Sequence, residues 1–248
     1  MGITTSDRVI LNGGEPFLHT HIVDILKSLK PIGCEVLIYT NGTMIKNYDL
    51  DFLTSKFRFV IPTHGFPELH DKITCHKGGF VAMSESIDSL RKHDCLVDVK
   101  LILNDSMIAN DDSFDKTLKA FETLQFNHAI HIRKMVDTIT SKRNNCSSVT
   151  MDRASIYTAI AFCRLKDKGV PIKMFDTCIK LIDITDYYTK CPNISVYFKD
   201  CSHERKFVLG QSDLECRKTC NKSDKCHSAV GNYTVLEYYN GEFYENLE

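Results

Sequence analysis

The sequence has no apolar run long enough to cross a bilayer, and it does not begin with the basic and then apolar stretch of a secretory signal peptide. Nor does it carry an excess of one charge, because 31 lysines and arginines stand against 32 aspartates and glutamates. This balance gives no indication of the basic patch typical of nucleic-acid-binding proteins. We therefore expect a cytoplasmic protein whose partners include neither a membrane nor a nucleic acid.

Three familiar catalytic signatures are also missing: a nucleophile triad, a phosphate-binding glycine loop and an HExxH zinc motif. The composition is nevertheless that of a folded protein, with 43% hydrophobic and 25% charged residues. A length of 248 residues suits one large domain or two small ones.

Strand-like and helix-like segments alternate as far as residue 175. The predicted strands are 9–11, 35–39, 57–62, 96–103, 129–132 and 170–175, and the predicted helices are 21–29, 80–93, 113–124 and 151–168. This alternation predicts an α/β fold in which helices cover a parallel sheet or barrel. Because the carboxyl ends of parallel strands meet at one edge, we expect the functional site there.

Cysteine is abundant and unevenly distributed. Of eleven cysteines, six lie between Cys178 and Cys226, where the alternation of strands and helices fades. An odd number in a chain without an export signal favours metal or iron–sulfur binding over a disulfide framework. We therefore predict a core domain at 1–177 and a cysteine-rich extension at 178–248.

Three of these cysteines are close enough in sequence to bind one metal. Cys216, Cys220 and Cys226 have the spacing CxxxC-x5-C, and a more distant cysteine upstream can complete the set. Four thiolates suit an iron–sulfur cluster and structural zinc alike, and unliganded surface thiols are the remaining alternative.

A glycine-rich segment, NGGEP at 12–16, follows the first predicted strand. Glycines at a strand end let the backbone approach a ligand without a Cβ in the way. The plainer reading is a tight strand-to-helix turn with Pro16 at the helix start. Both readings are open for this segment alone.

Further segments follow it in order: TNG at 40–42, after the second predicted strand, and then HDKI and KGGF between residues 70 and 80. With this order and spacing, residues 8–133 resemble the radical S-adenosylmethionine (radical SAM) family. Its members carry GGEP after the second barrel strand, TNG after the third and then an hDxiRg..gsF segment. The resemblance implies a partial (βα) barrel that binds S-adenosylmethionine (SAM).

The resemblance also implies roles for individual residues. Gly13, Gly14 and Glu15 would hold the amino group of SAM, through backbone carbonyls and the carboxylate. Thr63 would contact the methionine part or the ribose. His64, at the same strand end, either reaches the site or lies in a surface loop.

Three more residues would line the interior of the barrel according to the resemblance. They are Lys100 and Asn104, on and just after one predicted strand, and Arg133, at the end of the next. Alternation along the strand puts Asp98 on the same face as Lys100. The alternative is that Asp98 and Lys100 face outward between helices.

The chain departs from the family at its amino terminus. The family's CxxxCxxC motif, which holds a [4Fe-4S] cluster upstream of GGEP, is absent, and the first cysteine is Cys34. We therefore expect a barrel without its first strand–helix unit, either in a truncated chain or in a domain that has lost the cluster. The first remaining strand would then be an unpaired edge, and radical initiation by this chain alone is not expected.

The extension resembles the SPASM/twitch-like auxiliary-cluster tail of many radical SAM proteins, whose usual form is CxxC-x5-C. The first ligand of such tails often follows a strand, as Cys178 does here. The resemblance implies a [4Fe-4S] cluster, with zinc as second choice, at Cys178, Cys216, Cys220 and Cys226. Two other cysteines, Cys191 and Cys201, remain candidates for the fourth ligand. Residues 233–246 resemble the helix that closes such tails.

The activity implied by the resemblance is hydrogen abstraction from a substrate by a 5′-deoxyadenosyl radical derived from SAM. The substrate would be a small molecule or a peptide, and an electron-donor protein would be a partner. The alternative is a catalytically inactive module that binds SAM or a peptide and is stabilised by zinc or an iron–sulfur cluster in its tail.

Overall fold

A computed structural model describes residues 3–136, 141, 143–175, 234–239 and 242–247. Its strands form one sheet in the order β1 to β8. The first six strands are parallel, and they are β1 (Arg8–Leu11), β2 (Glu35–Tyr39), β3 (Phe57–Thr63), β4 (Leu96–Leu103), β5 (Ala129–Lys134) and β6 (Ile172–Met174). The last two, β7 (Thr234–Tyr239) and β8 (Glu242–Leu247), are antiparallel to their neighbours.

Helices connect most of the parallel strands. They are α1 (Ile22–Leu29) after β1, α2 (Pro67–Thr74) and α3 (Gly79–Lys92) after β3, α4 (Asp111–Thr123) after β4, and α5 (Met151–Leu165) after β5. The predicted α/β partial barrel, with each strand beside its predecessor, is therefore confirmed. No helix among the described residues combines the length and the apolar character needed to cross a membrane.

One face of the sheet makes the hydrophobic core. On β4, Val97, Val99 and Leu101 are fully buried and cluster with helix side chains such as Met83 and Leu118. Burying side chains of this size contributes about 1.5–3 kcal/mol each, so this layer fixes the strands against the helices. The alternate residues of β4 face the other side of the sheet, called here the inner face.

Local sequence signals set the helix starts. Asn110 caps α4, because its Oδ1 accepts a hydrogen bond from the Ser113 backbone N at 2.8 Å. The carboxylate of Asp71, on α2, accepts hydrogen bonds from the backbone N of Gly78 and of Phe80 at the start of α3. Asp71 therefore joins the two consecutive helices.

The structure differs from the sequence-based expectation in two segments. Helix α2 was not predicted, although Pro67 at its first position is a typical helix start. The closing segment 233–246, predicted as a helix, contains the paired strands β7 and β8, with Tyr239 opposite Glu242. The dipeptide between those two residues is Asn-Gly, the strongest short-range sequence signal for a β-hairpin. β7 also pairs with β6, so this hairpin extends the sheet of the core.

Candidate functional site

The glycine turn lies directly after β1 and has an unusual backbone. Gly13 and Gly14 have φ angles of +99° and +55°, a region that other residues adopt only with strain. A Cβ added at either glycine would meet no atom within 4 Å. The two glycines are thus required by the backbone and leave open space beside it.

Glu15 joins this turn to the end of the neighbouring strand. Its Oε1 accepts a hydrogen bond from the Thr40 hydroxyl at 2.6 Å, and its Oε2 accepts one from the backbone N of Asn41 at 2.7 Å. The backbone N of Phe17 also donates to Oε1, at 3.1 Å. A carboxylate has about four acceptor positions, so Glu15 can still accept from a ligand. We call Glu15, Thr40 and Asn41 the carboxylate bracket.

Thr40 and Asn41 of the bracket are held by hydrogen bonds within their own turn. Gly42 N donates to the Thr40 hydroxyl oxygen at 3.1 Å, and both the backbone N and the hydroxyl of Thr43 donate to Asn41 Oδ1 at 2.8 Å. Gly42 has a φ of +78°, and a Cβ there would lie 3.3 Å from Ile61. Close packing against the core therefore requires glycine at this position.

A cleft of about 410 Å³ opens beside the bracket, at the carboxyl ends of β2, β3 and β5. The side chains around it include Asn41, Thr43, Pro62, His64, Met135 and Val136. Since Asn41 belongs both to the bracket and to the cleft wall, the glycine turn and the cleft are adjacent. Parallel strands thus bring together the two motifs singled out in the sequence.

Strand alternation decides which residue at the end of β3 lines the cleft. Thr63 pairs with the core residue Leu101, is 1% exposed, and donates its hydroxyl to the Gly65 carbonyl at 3.3 Å. His64, the next residue, is among the side chains lining the cleft. His64 is therefore a half-buried side chain in the wall of the cleft.

Asn104 lies behind the cleft as a brace. It is fully buried, and its Nδ2 donates to the carbonyl of His64 at 2.9 Å and to that of Ile102 at 3.1 Å. Its Oδ1 accepts from the backbone N of Met107 at 2.9 Å. Asn104 therefore holds two strand ends together.

Lys100 and Arg133 both lie on the inner face. Lys100 pairs with His131, and Arg133 pairs with Ile102, in the same register. Lys100 Nζ lies 5.4 Å from the ring centroid of Tyr39, and Arg133 Cζ lies 5.6 Å from that of Phe175. Cation–π contacts of this kind hold charged groups over aromatic faces. Lys100 therefore does not face outward between the helices.

Asp98, on β4, is a fully buried carboxylate whose partners were not predicted from the sequence. Arg58 Nε donates to its Oδ2 at 2.9 Å, and His128 Nδ1 lies 2.6 Å from its Oδ1. His131 Nε2 lies 3.0 Å from Oδ2 in an electrostatic contact that falls short of hydrogen-bond geometry. Burial raises the pKa of Asp98, but the two histidines and Arg58 outweigh it, so the pKa lies well below its usual range.

This cluster continues across the sheet towards β1. Arg58 Nη1 lies 3.8 Å from Glu35 Oε1, and Arg8 Nε donates to Glu35 Oε2 at 2.8 Å. These contacts between charged and histidine side chains therefore extend over five neighbouring strands on the inner face. No local sequence signal could have found it, because each member comes from a different strand.

The predicted metal ligands Cys178, Cys216, Cys220 and Cys226 lie outside the described residues. The described cysteines are dispersed: Cys34, Cys95 and Cys146 are buried, Cys75 is exposed and Cys163 is half-buried. Within the part of the chain that the structure describes, no group of three or more histidine, cysteine or acidic side chains is arranged to hold a metal ion.

Comparison with known proteins finds similarity in structure and not in sequence. No family model and no curated protein sequence matches the chain. Streptococcus suis SuiB bound to S-adenosylmethionine is 8% identical over 77% of this chain and 42% of its own, with a TM-score of 0.50. Native anSMEcpe with bound AdoMet and a peptide is 14% identical over 64% of this chain and 46% of its own, with a TM-score of 0.49. A domain of pyruvate-formate lyase-activating enzyme from Bacteroides vulgatus is 15% identical over 66% of this chain and 97% of its own, also with a TM-score of 0.49.

These likenesses concern the fold. The similarity to SuiB shows that the strands and helices described here follow the same α/β partial-barrel arrangement. The chain spans less than half the length of SuiB and of anSMEcpe.

Proposed function

We propose that this chain is a radical SAM protein that binds SAM at the carboxyl ends of β1, β2 and β3. The observation that carries the proposal is the carboxylate bracket, which joins two motifs of the predicted SAM site across neighbouring strands. Glu15 accepts from Thr40 and Asn41, 25 and 26 residues along the chain. Such a bracket fixes an acceptor group beside an open glycine turn.

The residues present fit SAM chemically. Its methionine part carries an ammonium group, which suits carbonyl and carboxylate acceptors such as those of Gly13, Gly14 and Glu15. The open space beside both glycines leaves room for that group. The adjoining cleft of about 410 Å³ is of the size typical for small-molecule sites. SuiB, which shares the fold, is bound to S-adenosylmethionine, and this supports the proposal.

In the proposed activity, SAM and a reduced [4Fe-4S] cluster would together supply a 5′-deoxyadenosyl radical for hydrogen abstraction from a substrate. Within the described residues, no group of side chains could hold that cluster. The work of this chain is to bind, to orient and to keep water out. Glu15 would hold the amino group, while Lys100 and Arg133 would face the bound molecules from the inner face. Their positive charge suits a carboxylate on SAM or on the substrate. A small molecule or a peptide remains the proposed substrate class, with an electron-donor protein as partner.

For the cysteine-rich extension we propose a [4Fe-4S] cluster at Cys178, Cys216, Cys220 and Cys226, with zinc as the second choice. The spacing of the last three, in a segment rich in cysteine, is the support for this assignment. The second candidate function is a catalytically inactive module that binds SAM or a peptide. The carboxylate bracket and the cleft would serve such a module equally well.

SAM binding to the purified full chain, measured by isothermal titration calorimetry, tests the proposal. Gly14→Ala and Gly169→Ala form a matched pair, since both glycines have positive φ and neither Cβ would meet an atom within 4 Å. We expect both variants to lose about 1 kcal/mol of stability, because alanine is strained at positive φ. We expect only Gly14→Ala to weaken SAM binding, by about tenfold, a loss of about 1.4 kcal/mol. Absence of SAM binding to the wild type, or equal binding by both variants, contradicts the proposal.

Anaerobic reconstitution with iron and sulfide then separates the two candidate functions. Formation of 5′-deoxyadenosine from SAM under reducing conditions supports the enzyme. SAM binding without 5′-deoxyadenosine means that this chain alone does not initiate radicals, which is the result that the sequence predicts. Zinc without iron in the chain purified under anaerobic conditions contradicts the cluster assignment.

A further inference from the structure

The inner face of β4 and β5 carries a group of basic side chains. Lys100 of β4 pairs in register with His131 of β5, and Arg133 lies two residues further along β5 on the same face. Neighbouring strands lie about 4.8 Å apart, so these three side chains are within reach of one small ligand. We call Lys100, His131 and Arg133 the basic face. On its other side His131 pairs with Lys173 of β6, which pairs in turn with Glu237 of β7.

Aromatic rings hold the basic face in place. Arg133 Cζ lies 5.6 Å from the ring centroid of Phe175, and the ring centroid of His131 lies 5.5 Å from that of Phe175. Because Phe175 is buried, it keeps Arg133 and His131 side by side. Lys100 Nζ lies over the ring of Tyr39, 5.4 Å from its centroid. Groups that are already positioned lose less conformational entropy when a ligand binds.

Asp98, two residues before Lys100 on β4, directs its charge to other partners. Its carboxylate accepts a hydrogen bond from Arg58 Nε at 2.9 Å and lies 2.6 Å from His128 Nδ1. His131 Nε2 lies 3.0 Å from Asp98 Oδ2 but without hydrogen-bond geometry. The negative charge of Asp98 is therefore used chiefly by Arg58 and the histidines.

His131 is the buried member of the basic face. It is 3% exposed, and its Nδ1 has no hydrogen-bond partner within the part of the chain that the structure describes. A buried polar atom without a partner is costly, so it indicates a partner that is missing. Burial lowers the pKa of His131 although Asp98 opposes the shift, and the charges of Lys100 and Arg58 lower it further. A bound oxyanion would supply the missing partner and would favour the protonated ring.

An oxyanion on the basic face would not come from SAM in the proposed orientation. The ammonium and carboxylate groups of SAM are attached to the same carbon, and the proposed place of the ammonium is at Glu15, directly after β1. Arg133 lies on β5, four strands further along the sheet. The carboxylate of SAM would therefore lie closer to β1 and β2 than to the basic face. The nucleoside half of SAM carries no negative charge.

We propose that the basic face binds an oxyanion of the substrate, a carboxylate or a phosphate, so that the substrate of this protein is an acidic molecule. The inference rests on the proposed function, because it names the substrate class of the same site. The guanidinium of Arg133 presents a planar fork of N–H donors, which matches the oxygens of a carboxylate or a phosphate. Lys100 adds a second positive charge beside it.

Inorganic phosphate and succinate serve as probes of this site. Their binding to the full chain is measured at constant ionic strength, with and without saturating SAM. Phosphate is followed by the broadening of its phosphorus NMR line, and succinate by saturation-transfer difference NMR. The variants are Arg133→Gln, Arg133→Lys and Lys100→Gln. Lys116→Gln is the matched control, because it removes the same charge from the exposed surface of α4, where Lys116 pairs with Asp112.

We expect both probes to bind the SAM-saturated wild type. Arg133→Gln and Lys100→Gln should each weaken this binding by about tenfold, as the loss of one charge-assisted hydrogen bond predicts. Arg133→Lys keeps the charge but not the fork of donors, so we expect a loss of about threefold. Lys116→Gln should bind both probes within twofold of the wild type. Calorimetry should give all four variants a SAM affinity within twofold of the wild type, which also verifies that they are folded.

Three results would overturn the inference while leaving the proposed function intact. One is that neither probe binds the SAM-saturated wild type. Another is an equal loss in Arg133→Gln and Lys116→Gln, which would indicate attraction to overall charge. The third is displacement of both probes from the wild type by SAM, together with a tenfold loss of SAM affinity in Arg133→Gln, which would assign the basic face to the carboxylate of SAM. If the wild type binds no SAM, the proposed function fails, whereas probe binding without SAM that Arg133→Gln weakens still supports an oxyanion site.

Discussion

Asp98→Asn is expected to cause a large loss of stability. The carboxylate is fully buried and is contacted by Arg58, His128 and His131. Asparagine has the same shape but no charge, and its amide nitrogen would face donors. Arg58, whose side chain is 10% exposed, would then keep a largely buried charge without its main partner.

The size of the effect follows from this geometry. Removing one member of a buried ion pair costs about 3–5 kcal/mol, because the other charge stays desolvated. Glu35 remains 3.8 Å from Arg58 and compensates in part. We therefore expect a loss near the lower limit, about 3 kcal/mol. This is a large share of the roughly 5–15 kcal/mol by which proteins are usually stable.

Urea denaturation at pH 7, followed by circular dichroism, measures the loss. Asp115→Asn is the matched control, since Asp115 contacts Arg164 and Lys119 on the exposed surface of α4 and should change stability much less. The double variant Arg58→Met/Asp98→Leu removes both charges, and we expect it to be more stable than Asp98→Asn.

The pH dependence gives an independent check. Because the folded state lowers the pKa of Asp98, its contribution is complete above the unfolded value of 3.8 and is lost as the pH falls through the folded value. The wild type should therefore lose this contribution only below about pH 4, whereas Asp98→Asn lacks it throughout. A loss under about 1 kcal/mol at pH 7, or a double variant no more stable than Asp98→Asn, would refute the reasoning.

Two further predictions concern the surroundings of the cleft. Burial lowers the pKa of His70 to about 4, although Asp71 opposes the shift, so stability should fall as the pH drops from 6.5 towards 4. His70 should account for a fall of about 2 kcal/mol in the free energy of unfolding between pH 7 and pH 5. Urea denaturation of His70→Phe at the same two pH values should show a fall that is smaller by this amount. An equal fall in the variant and the wild type would contradict the lowered pKa. Thr40→Val removes the 2.6 Å hydrogen bond to Glu15 and should cost about 2 kcal/mol in chemical denaturation. A cost below about 0.5 kcal/mol would mean that the bracket does not stabilise the strand ends.

Much of the fold was predictable because its signals are local. The apolar run at Glu35–Tyr39 and the eight residues of Leu96–Leu103 each form the predicted strand with the predicted bounds. The apolar spacing of helix α4 and its capping residue Asn110 are both local signals that predict the helix. In the closing segment the prediction was wrong: the resemblance to a helix outweighed the Asn-Gly sequence signal, and residues 234–239 and 242–247 form β7 and β8.

The candidate site was predicted in part. NGGEP and TNG were located, and their adjacency follows from parallel strands. The resemblance assigned the contact at the end of β3 to Thr63, whose side chain is buried, whereas His64, the next residue, lines the cleft. Side chains alternate with a period of two, so an uncertainty of one residue at a strand end reverses which side chain faces the cleft.

The sequence by itself determined the alternation of strands and helices and the glycines that permit a positive φ after β1. Only the tertiary structure decided that Glu15 binds Thr40 and Asn41, and that Arg58 and His128 meet Asp98. These partners lie 25 to 40 residues apart along the chain. Propensity and periodicity extend over a few residues, whereas such contacts exist only after the packing of neighbouring strands has brought the side chains together.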